Sequence, residues 1–126
     1  MFDPRIYLLS ERLSGNVLMG KVSDEEFIKA LCKCDVYSID HQGAQVGGAI
    51  LNGDRFHLTV LPSYQGKVGF QILKAIEWAH QRCIPFKARV HKNNTQVLRL
   101  VHFYRHILVT EDDVTSTFEI YPREQK

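Results

Sequence analysis

Apolar residues recur along this chain in two rhythms, and the switches between them mark the elements. Phe27, Ile28 and Leu31 follow helical spacing. Ser23-Asp24-Glu25-Glu26 just ahead of them is a capping box, in which the Ser hydroxyl accepts from the first-turn amide of Glu26 and Glu26 reaches back. A helix from about Asp24 to Lys33 is predicted. Val36 to Ile39 reads as a strand, His41-Gln42-Gly43 as a turn, and Ala44 to Leu51 as a second strand containing Gly47 and Gly48. Asn52-Gly53 is a strong hairpin signal, because both residues tolerate positive φ. Arg55 to Leu61 is then the third strand, and Pro62 stops it.

Helical spacing returns from Val68 to about Gln81. Ile72, Leu73, Ile76 and Ala79 line one stripe with Ala75 beside them, while Lys74, Glu77 and Gln81 fall largely away. Pro85 interrupts. From Phe86 to Val90 the period drops to two, with Phe86, Ala88 and Val90 on one face and Lys87 and Arg89 on the other. Asn93-Asn94-Thr95 can cap another helix, running to about Tyr104 with Val97, Leu98 and Val101 inward. Ile107 to Thr110 and Thr115 to Tyr121 read as a closing antiparallel hairpin across Glu111-Asp112-Asp113. The order is helix, three-strand meander, helix, strand, helix, two strands, which is an α/β class with a mixed sheet. No element is predicted before Ser23.

Composition narrows the picture. A chain of 126 residues without repeats or a linker-like shift predicts one domain over residues 1–126. It is 44% hydrophobic and 24% charged, which argues against disorder. Its net charge of +2 gives no strong field for nucleic acid or an anionic membrane. No apolar run approaches the roughly 18 residues needed to span a bilayer. Met1-Phe2-Asp3-Pro4-Arg5 has no charged-then-apolar leader pattern, so a cytoplasmic location is expected. Cys32, Cys34 and Cys83 are an odd count, and Cys32-x-Cys34 is too tight for the usual zinc pair; free thiols are expected.

The informative stretch is Val60-Leu61-Pro62-Ser63-Tyr64-Gln65-Gly66-Lys67-Val68-Gly69-Phe70. A strand ends, a short loop with two glycines follows, and a helix begins. Helix N-termini present unpaired amides and partial positive charge, which suits a phosphate or pyrophosphate. Gly66 and Gly69 would let the backbone approach a ligand, and Lys67 would add a point charge. A plain strand-to-helix turn has the same residues available to it.

The stretch Leu61 to Lys67, followed by an amphipathic helix, resembles the acetyl-CoA loop of the GNAT superfamily of N-acetyltransferases. Arg89-Val90-His91-Lys92-Asn93-Asn94-Thr95-Gln96-Val97-Leu98-Arg99-Leu100 looks like that family's next strand, Asn-containing turn and helix. The order of elements matches from about Val36 to Tyr121. Asn94-Thr95 and the strand Phe118-Glu119-Ile120-Tyr121 look especially like the short GNAT-like proteins of bacteriophages. The resemblance implies a mixed, mostly antiparallel sheet flanked by helices, the fold of acyl-CoA N-acyltransferases. It implies acetyl-CoA as co-substrate, held by Leu58, Val60 and Leu61 on the strand and by Gln65, Gly66, Lys67, Val68, Gly69 and Phe70 in the loop. Asn93 or Asn94 would bond the pantetheine amides, or cap the helix. The chain departs from the family at Val68, where a glycine is usual, and at Phe70, where Gly or Ala is usual. Val101 stands where many members carry the Tyr that protonates the thiolate, and Arg105-His106 replaces the usual Gly-Phe.

Acetyl transfer requires an amine to lose a proton and a thiolate to gain one. His57, on the third strand, is the candidate base; a hydrogen-bonded histidine on a half-buried strand is the plainer alternative. Tyr104, one helical turn beyond Val101, is the candidate acid, or else an aromatic anchor at a helix end. No cysteine falls in the motif region, so direct attack without a covalent enzyme intermediate is expected. The expected acceptor is an amine-bearing small molecule or protein, met by the segment Ser10 to Glu25 and the acidic turn at Glu111. A catalyst needs an open cleft where the third and fourth strands part; Phe70 or Phe86 would fill that cleft in a non-catalytic module, for example one used in a phage virion or its assembly. His102 and His106 sit at i, i+4, but no third ligand is evident, so no metal is expected. Lys87, Arg89, Lys92, Arg99 and Arg105 form a modest basic concentration, and Trp78 and Tyr64 are read as packing residues. The strand Ser116 to Tyr121 is a candidate for pairing with a partner, unless its neighbours in the sheet already cover it.

Overall fold

A computed structural model describes residues 2–13 and 23–123. The elements are α1 (Pro4–Leu13), α2 (Asp24–Leu31), β1 (Asp35–His41), β2 (Ala44–Asn52), β3 (Arg55–Val60), α3 (Gly69–His80), β4 (Phe86–His91), α4 (Thr95–Phe103), β5 (Arg105–Glu111) and β6 (Thr115–Tyr121), with a single 3-10 turn at Pro62–Tyr64 between β3 and α3. The mixed α/β class is as expected, and the helices and strands fall within a few residues of their predicted spans.

One helix was not anticipated. Asp3 caps α1, its Oδ1 accepting from the Arg5 amide at 2.9 Å, and Pro4 takes the first helical position, where a missing N–H costs nothing. α2 ends at Leu31 rather than Lys33. Its capping box forms with a variation. The Glu26 amide donates to Ser23 Oγ at 3.2 Å, and the Ser23 hydroxyl donates to Glu26 Oε1 at 3.2 Å, so the carboxylate meets the hydroxyl instead of the Ser23 amide.

The six strands form one sheet in the order β1-β2-β3-β4-β6-β5. Every neighbouring pair is antiparallel except β3 and β4, which are parallel and joined through α3. The strand Ser116 to Tyr121, a candidate for pairing with a partner unless its neighbours cover it, is covered: it lies inside the sheet between β4 and β5, and β5 is the edge.

Each face of the sheet has its own core. α3 and α4 cover one face, where Val46, Phe56, Val68, Ile76, Phe86 and Phe118 are buried together. α1 and α2 cover the other over β2 and β3, through Tyr7, Leu8, Phe27 and Ile50. Tyr7 stacks on Phe27 with ring centroids 5.7 Å apart. Gly48 makes this close seat possible, because a Cβ there would run into the Phe2 ring. Burial of each such large side chain stabilises the fold by about 1.5–3 kcal/mol.

Candidate functional site

The parallel junction is where the sheet opens. β3 and β4 pair at Arg55–Lys87 and Phe56–Ala88. Beyond those residues β3 continues on β2 up to Gly47–Val60, and β4 continues on β6 up to His91–Thr115. Between His57–Val60 and Arg89–His91 no ladder is formed among the described residues. The strands therefore part toward their C-terminal ends. That is the end of parallel strands where ligands bind in open α/β sheets. The opposite end is packed shut. Phe86 lies 4.6 Å from Phe56 and 4.6 Å from His80, ring centroid to centroid.

The loop after β3 leads straight from this cleft into α3. The 3-10 turn forms through Tyr64 N–H to Leu61 O at 2.9 Å, followed by Lys67 N–H to Tyr64 O at 3.0 Å. Tyr64 is half-buried and meets the His41 ring edge-on at 5.6 Å. Gln65 and Lys67 are exposed, and Gly66 turns the chain at φ 83°. A residue with a Cβ resists that conformation even though nothing crowds the position. Val68 takes a negative φ of −124° as the N-cap residue and is fully buried in the main core. Its bulk anchors α3 instead of narrowing the loop. Gly69 opens the helix with open space where a Cβ would stand.

The first bond of α3 is Ile72 N–H to Val68 O at 3.0 Å, so the amides of Gly69, Phe70 and Gln71 precede the helical ladder. No side chain caps this end, and no acid lies in its first turn. It therefore keeps its partial positive charge toward the cleft side. Phe70 is 68% exposed, with the Lys74 ammonium 4.8 Å from its ring centroid. Phe86 sits at the closed end. Neither phenylalanine plugs the opening.

Leu58 and Val60 point their side chains into the α3 core, and Leu61 is half-buried. For Leu58 and Val60 this leaves the backbone to line the cleft. Asn93 and Asn94 are exposed at the head of α4, beside the end of β4. Asn94 Oδ1 accepts from the Val97 amide at 3.2 Å, which is the helix-cap role. Asn93 is the polar side chain left at that corner.

His57 lies opposite Ile50 and so faces the α1/α2 side, where its ring reaches solvent. The crowding of that face lowers its pKa from the ordinary 6.5; Glu11 of α1 pulls it up, and Arg55 pushes it down. Neutral pH therefore leaves the ring neutral and able to accept a proton. Glu11 was missed in the sequence because α1 was missed, although Asp3-Pro4 is a helix-start signal and Tyr7 and Glu11 are one turn apart.

Tyr104 is not brought to His57. It is buried in the core on the opposite face, 6.0 Å from the His80 ring, at the closed end of the β3–β4 pair. Burial raises its pKa, so its proton is held more tightly than usual. α4 begins beside the cleft at Asn94 and carries Tyr104 away from it, which the helical spacing from Val101 did not register. Val101 itself is buried in the same core.

The remaining charged candidates are largely engaged. Lys87, Arg89 and Lys92 pair with Asp54, Asp112 and Glu111 at 3.5, 3.3 and 3.4 Å. Asp112 also accepts from the amides of Thr115 and Val114 at 2.7 and 2.8 Å, and these bonds hold its pKa down at about 2. The acidic turn thus organises its own hairpin. Of the segment Ser10 to Glu25, residues 14–22 lie outside the described residues. Trp78 packs at 5.4 Å on Tyr37 under the Arg82 guanidinium. The His102 and His106 rings meet edge-on at 4.7 Å, and no group of three potential metal ligands occurs among the described residues. Cys32, Cys34 and Cys83 are free thiols, and no described helix is long and apolar enough to cross a membrane.

No family model and no curated protein matches this chain. Solved structures do. A GCN5-related N-acetyltransferase from Rhodopseudomonas palustris is 21% identical, with a TM-score of 0.63 over 94% of this chain and 86% of its own. The N-acetyltransferase PseH of Campylobacter jejuni, in complex with acetyl coenzyme A, is 17% identical, with a TM-score of 0.68 over 96% and 92%. A chimeric spermidine N-acetyltransferase, combining SpeG of Vibrio cholerae with hSSAT, is 14% identical, with a TM-score of 0.65 over 95% and 92%. The chain has the fold of the GNAT N-acetyltransferases. Nothing in these comparisons speaks to a phage origin.

Proposed function

We propose that this chain is an acetyl-CoA-dependent N-acetyltransferase acting directly on an amine. One observation carries the reading: the cleft between β3 and β4 opens beside an uncapped helix N-terminus, in a fold that binds acetyl-CoA in PseH. The backbone edges of His57–Val60 and Arg89–His91 would take the pantetheine amides, with Asn93 at the mouth. The amides of Gly69, Phe70 and Gln71 would receive the pyrophosphate, with Lys67 beside them. Acetyl-CoA supplies an activated thioester when bound.

His57 is the base of this reading. Its neutral ring accepts the proton as the amine nitrogen bonds to the thioester carbon and the carbon–sulfur bond breaks. The leaving thiolate needs a proton. Tyr104 is remote, so water in the open cleft is the donor in this scheme, and the proton held on His57 then neutralises the hydroxide formed. The acceptor approaches from the α1/α2 side, where Glu11 favours a cationic amine; the spermidine enzyme among the solved neighbours is a precedent for a small amine.

A second reading draws on Val101. With an apolar, buried residue at the acid position, the chain would bind CoA without turning over, as a GNAT-like binding or assembly module. Calorimetric titration with acetyl-CoA, with desulfo-CoA and ATP as controls, tests both. Saturable micromolar binding that Gly66→Val weakens supports the cleft, and amine-dependent release of free thiol then separates enzyme from module. Absence of binding up to about 1 mM removes both readings.

A further inference from the structure

We propose that the acceptor of this chain is a zwitterion, an amine that also carries a carboxylate, with Glu11 receiving its ammonium group as it docks and Arg55 its carboxylate. The inference rests on the acetyl-transfer reading above and adds the chemistry of the second substrate.

Register decides which side chains stand around His57. Arg55 and His57 alternate on β3 opposite Asn52 and Ile50, so both emerge on the face that α1 and α2 pack against. Ile50 is buried there with Tyr7 and Leu8 of α1. Glu11 lies one turn beyond Tyr7 on the same side of that helix. It is half-buried and accepts from the hydroxyl of the buried Tyr7, which anchors its carboxylate. Glu11 and Arg55 act on the His57 ring with opposite signs, so all three groups are within electrostatic reach. His57 itself is exposed.

A site for a plain cationic amine has no use for Arg55. A guanidinium beside the base repels such an amine and weakens the base. The other cations nearby are engaged. Lys87, opposite Arg55 on β4, pairs with Asp54 at 3.5 Å. Arg89, one residue beyond the Phe56–Ala88 pair, meets Asp112 at 3.3 Å, and Arg12 of α1 meets Asp24 at 3.1 Å. The acid Glu119 stands across from Lys87 on β6, a strand further from Arg55. Arg55 is exposed, and no ion pair reaches it among the described residues. Its planar fork is free to hold a carboxylate through two parallel hydrogen bonds. Phosphate suits the place less well, because its second charge calls for a second free cation.

The order along β3 sets the direction of the ligand. Arg55 lies where β3 and β4 still pair, and the strands part from His57 onward. A carboxylate seated on Arg55 therefore points its amine toward His57 and the cleft. Two residues of strand rise about 6.6 Å, which an amine and a carboxylate a few bonds apart span with the reach of the Arg side chain. That is the spacing of an amino acid.

Thiol release from acetyl-CoA tests this, with the common L-amino acids, their amides and spermidine offered as acceptors. At least one acid should exceed its own amide about tenfold or more in kcat/KM, and should exceed spermidine as well. Arg55→Gln should cut that acid-to-amide ratio at least about fivefold, and Arg55→Lys, which keeps the charge and loses the fork, should restore part of it. Any effect of Arg55 on the His57 ring is shared by acid and amide and cancels in the ratio. Amides as good as their acids, spermidine preferred, or a ratio indifferent to Arg55→Gln overturns the proposal and leaves acetyl transfer standing. Should no acceptor release thiol, the acetyl-transfer reading falls, and the His57 ring resonances in NMR judge the site alone. Shifts on adding an acid but not its amide uphold it; equal shifts or none overturn it.

Discussion

The two ends of the β3–β4 pair are made of the same two strands and do opposite things. At the closed end Arg55–Lys87 and Phe56–Ala88 are hydrogen-bonded neighbours, and Phe56, Phe86 and His80 fill the space beneath them. A few residues on, the strands have parted, the chain turns at Gly66, and α3 starts without a cap. One end spends its side chains on packing. The other leaves backbone groups unmet, and unmet groups are what a ligand needs. Stability and binding are thus expected to separate along a single pair of strands.

The largest effect belongs to the closed end. Phe86 is fully buried, so Phe86→Ala should cost about 3–5 kcal/mol in chemical denaturation. Acetyl-CoA affinity of the folded protein should stay within about twofold of the original, because Phe86 lies at the closed end of the strand pair, away from where the strands part. A collapse of affinity in protein still folded would show that the two ends are one unit, and the comparison would fail.

At the open end the ranking reverses. Gly66→Val meets no atoms but must hold φ 83°, a strain of about 1–2 kcal/mol. Binding should fall at least about tenfold if the loop cradles the pyrophosphate as proposed. His57→Ala should lower turnover at least about tenfold and leave the melting temperature nearly unchanged, as the ring is solvent-accessible. The rate should rise with pH and level off below the ordinary histidine value of 6.5, because desolvation lowers the His57 pKa. Glu11→Gln removes the charge that pulls it upward, so the profile should move further toward acid. A profile that moves the other way would detach Glu11 from His57.

The sequence made the closed end and most of the fold legible, because its signals are periodic. Phe86, Ala88 and Val90 alternate, Ile72, Ile76 and Ala79 recur, and Asn52-Gly53 turns a hairpin; each is a local pattern that tertiary packing then reinforces. The loop was legible as well, through Gly66 and its place between strand and helix. What escaped were relations across the sheet. Spacing from Val101 put Tyr104 on the right side of α4, yet the direction in which α4 runs carries it to the wrong end. Asp3-Pro4 announced α1, but a helix with few apolar residues gives a weak period, and Glu11 went unseen with it. Which strand forms the edge was left open as well, because strand order depends on how the chain returns across the sheet.

His80 offers a smaller, pH-dependent contrast. Its Nε2–H donates to the Ile120 carbonyl at 3.0 Å, which requires that nitrogen to carry the proton of the neutral ring. Burial lowers its pKa from 6.5. The unfolded chain therefore binds more protons than the folded one just below pH 6.5, and folding stability should fall as pH drops through that window. Replacement by Gln should flatten this part of the stability profile. His57, at the other end, should leave a kinetic trace, because the proposed mechanism passes a proton to its ring.

The smallest effect is expected at Phe70, and it is the most informative about the cleft. In the family resemblance Phe70 stands where Gly or Ala is usual, a bulky side chain at the place where pyrophosphate would approach. In the structure that side chain is mostly in water, held by Lys74. An exposed cation–ring contact contributes about 0.5–1 kcal/mol, so Phe70→Ala should barely move stability. It should also leave acetyl-CoA affinity within about twofold, because the loop's contribution comes from backbone amides that Ala presents equally well. A gain of tenfold or more on removing the ring, roughly 1.4 kcal/mol, would mean that Phe70 swings over the helix end and guards it. The open end would then be open only in part, and the contrast with the closed end would become one of degree.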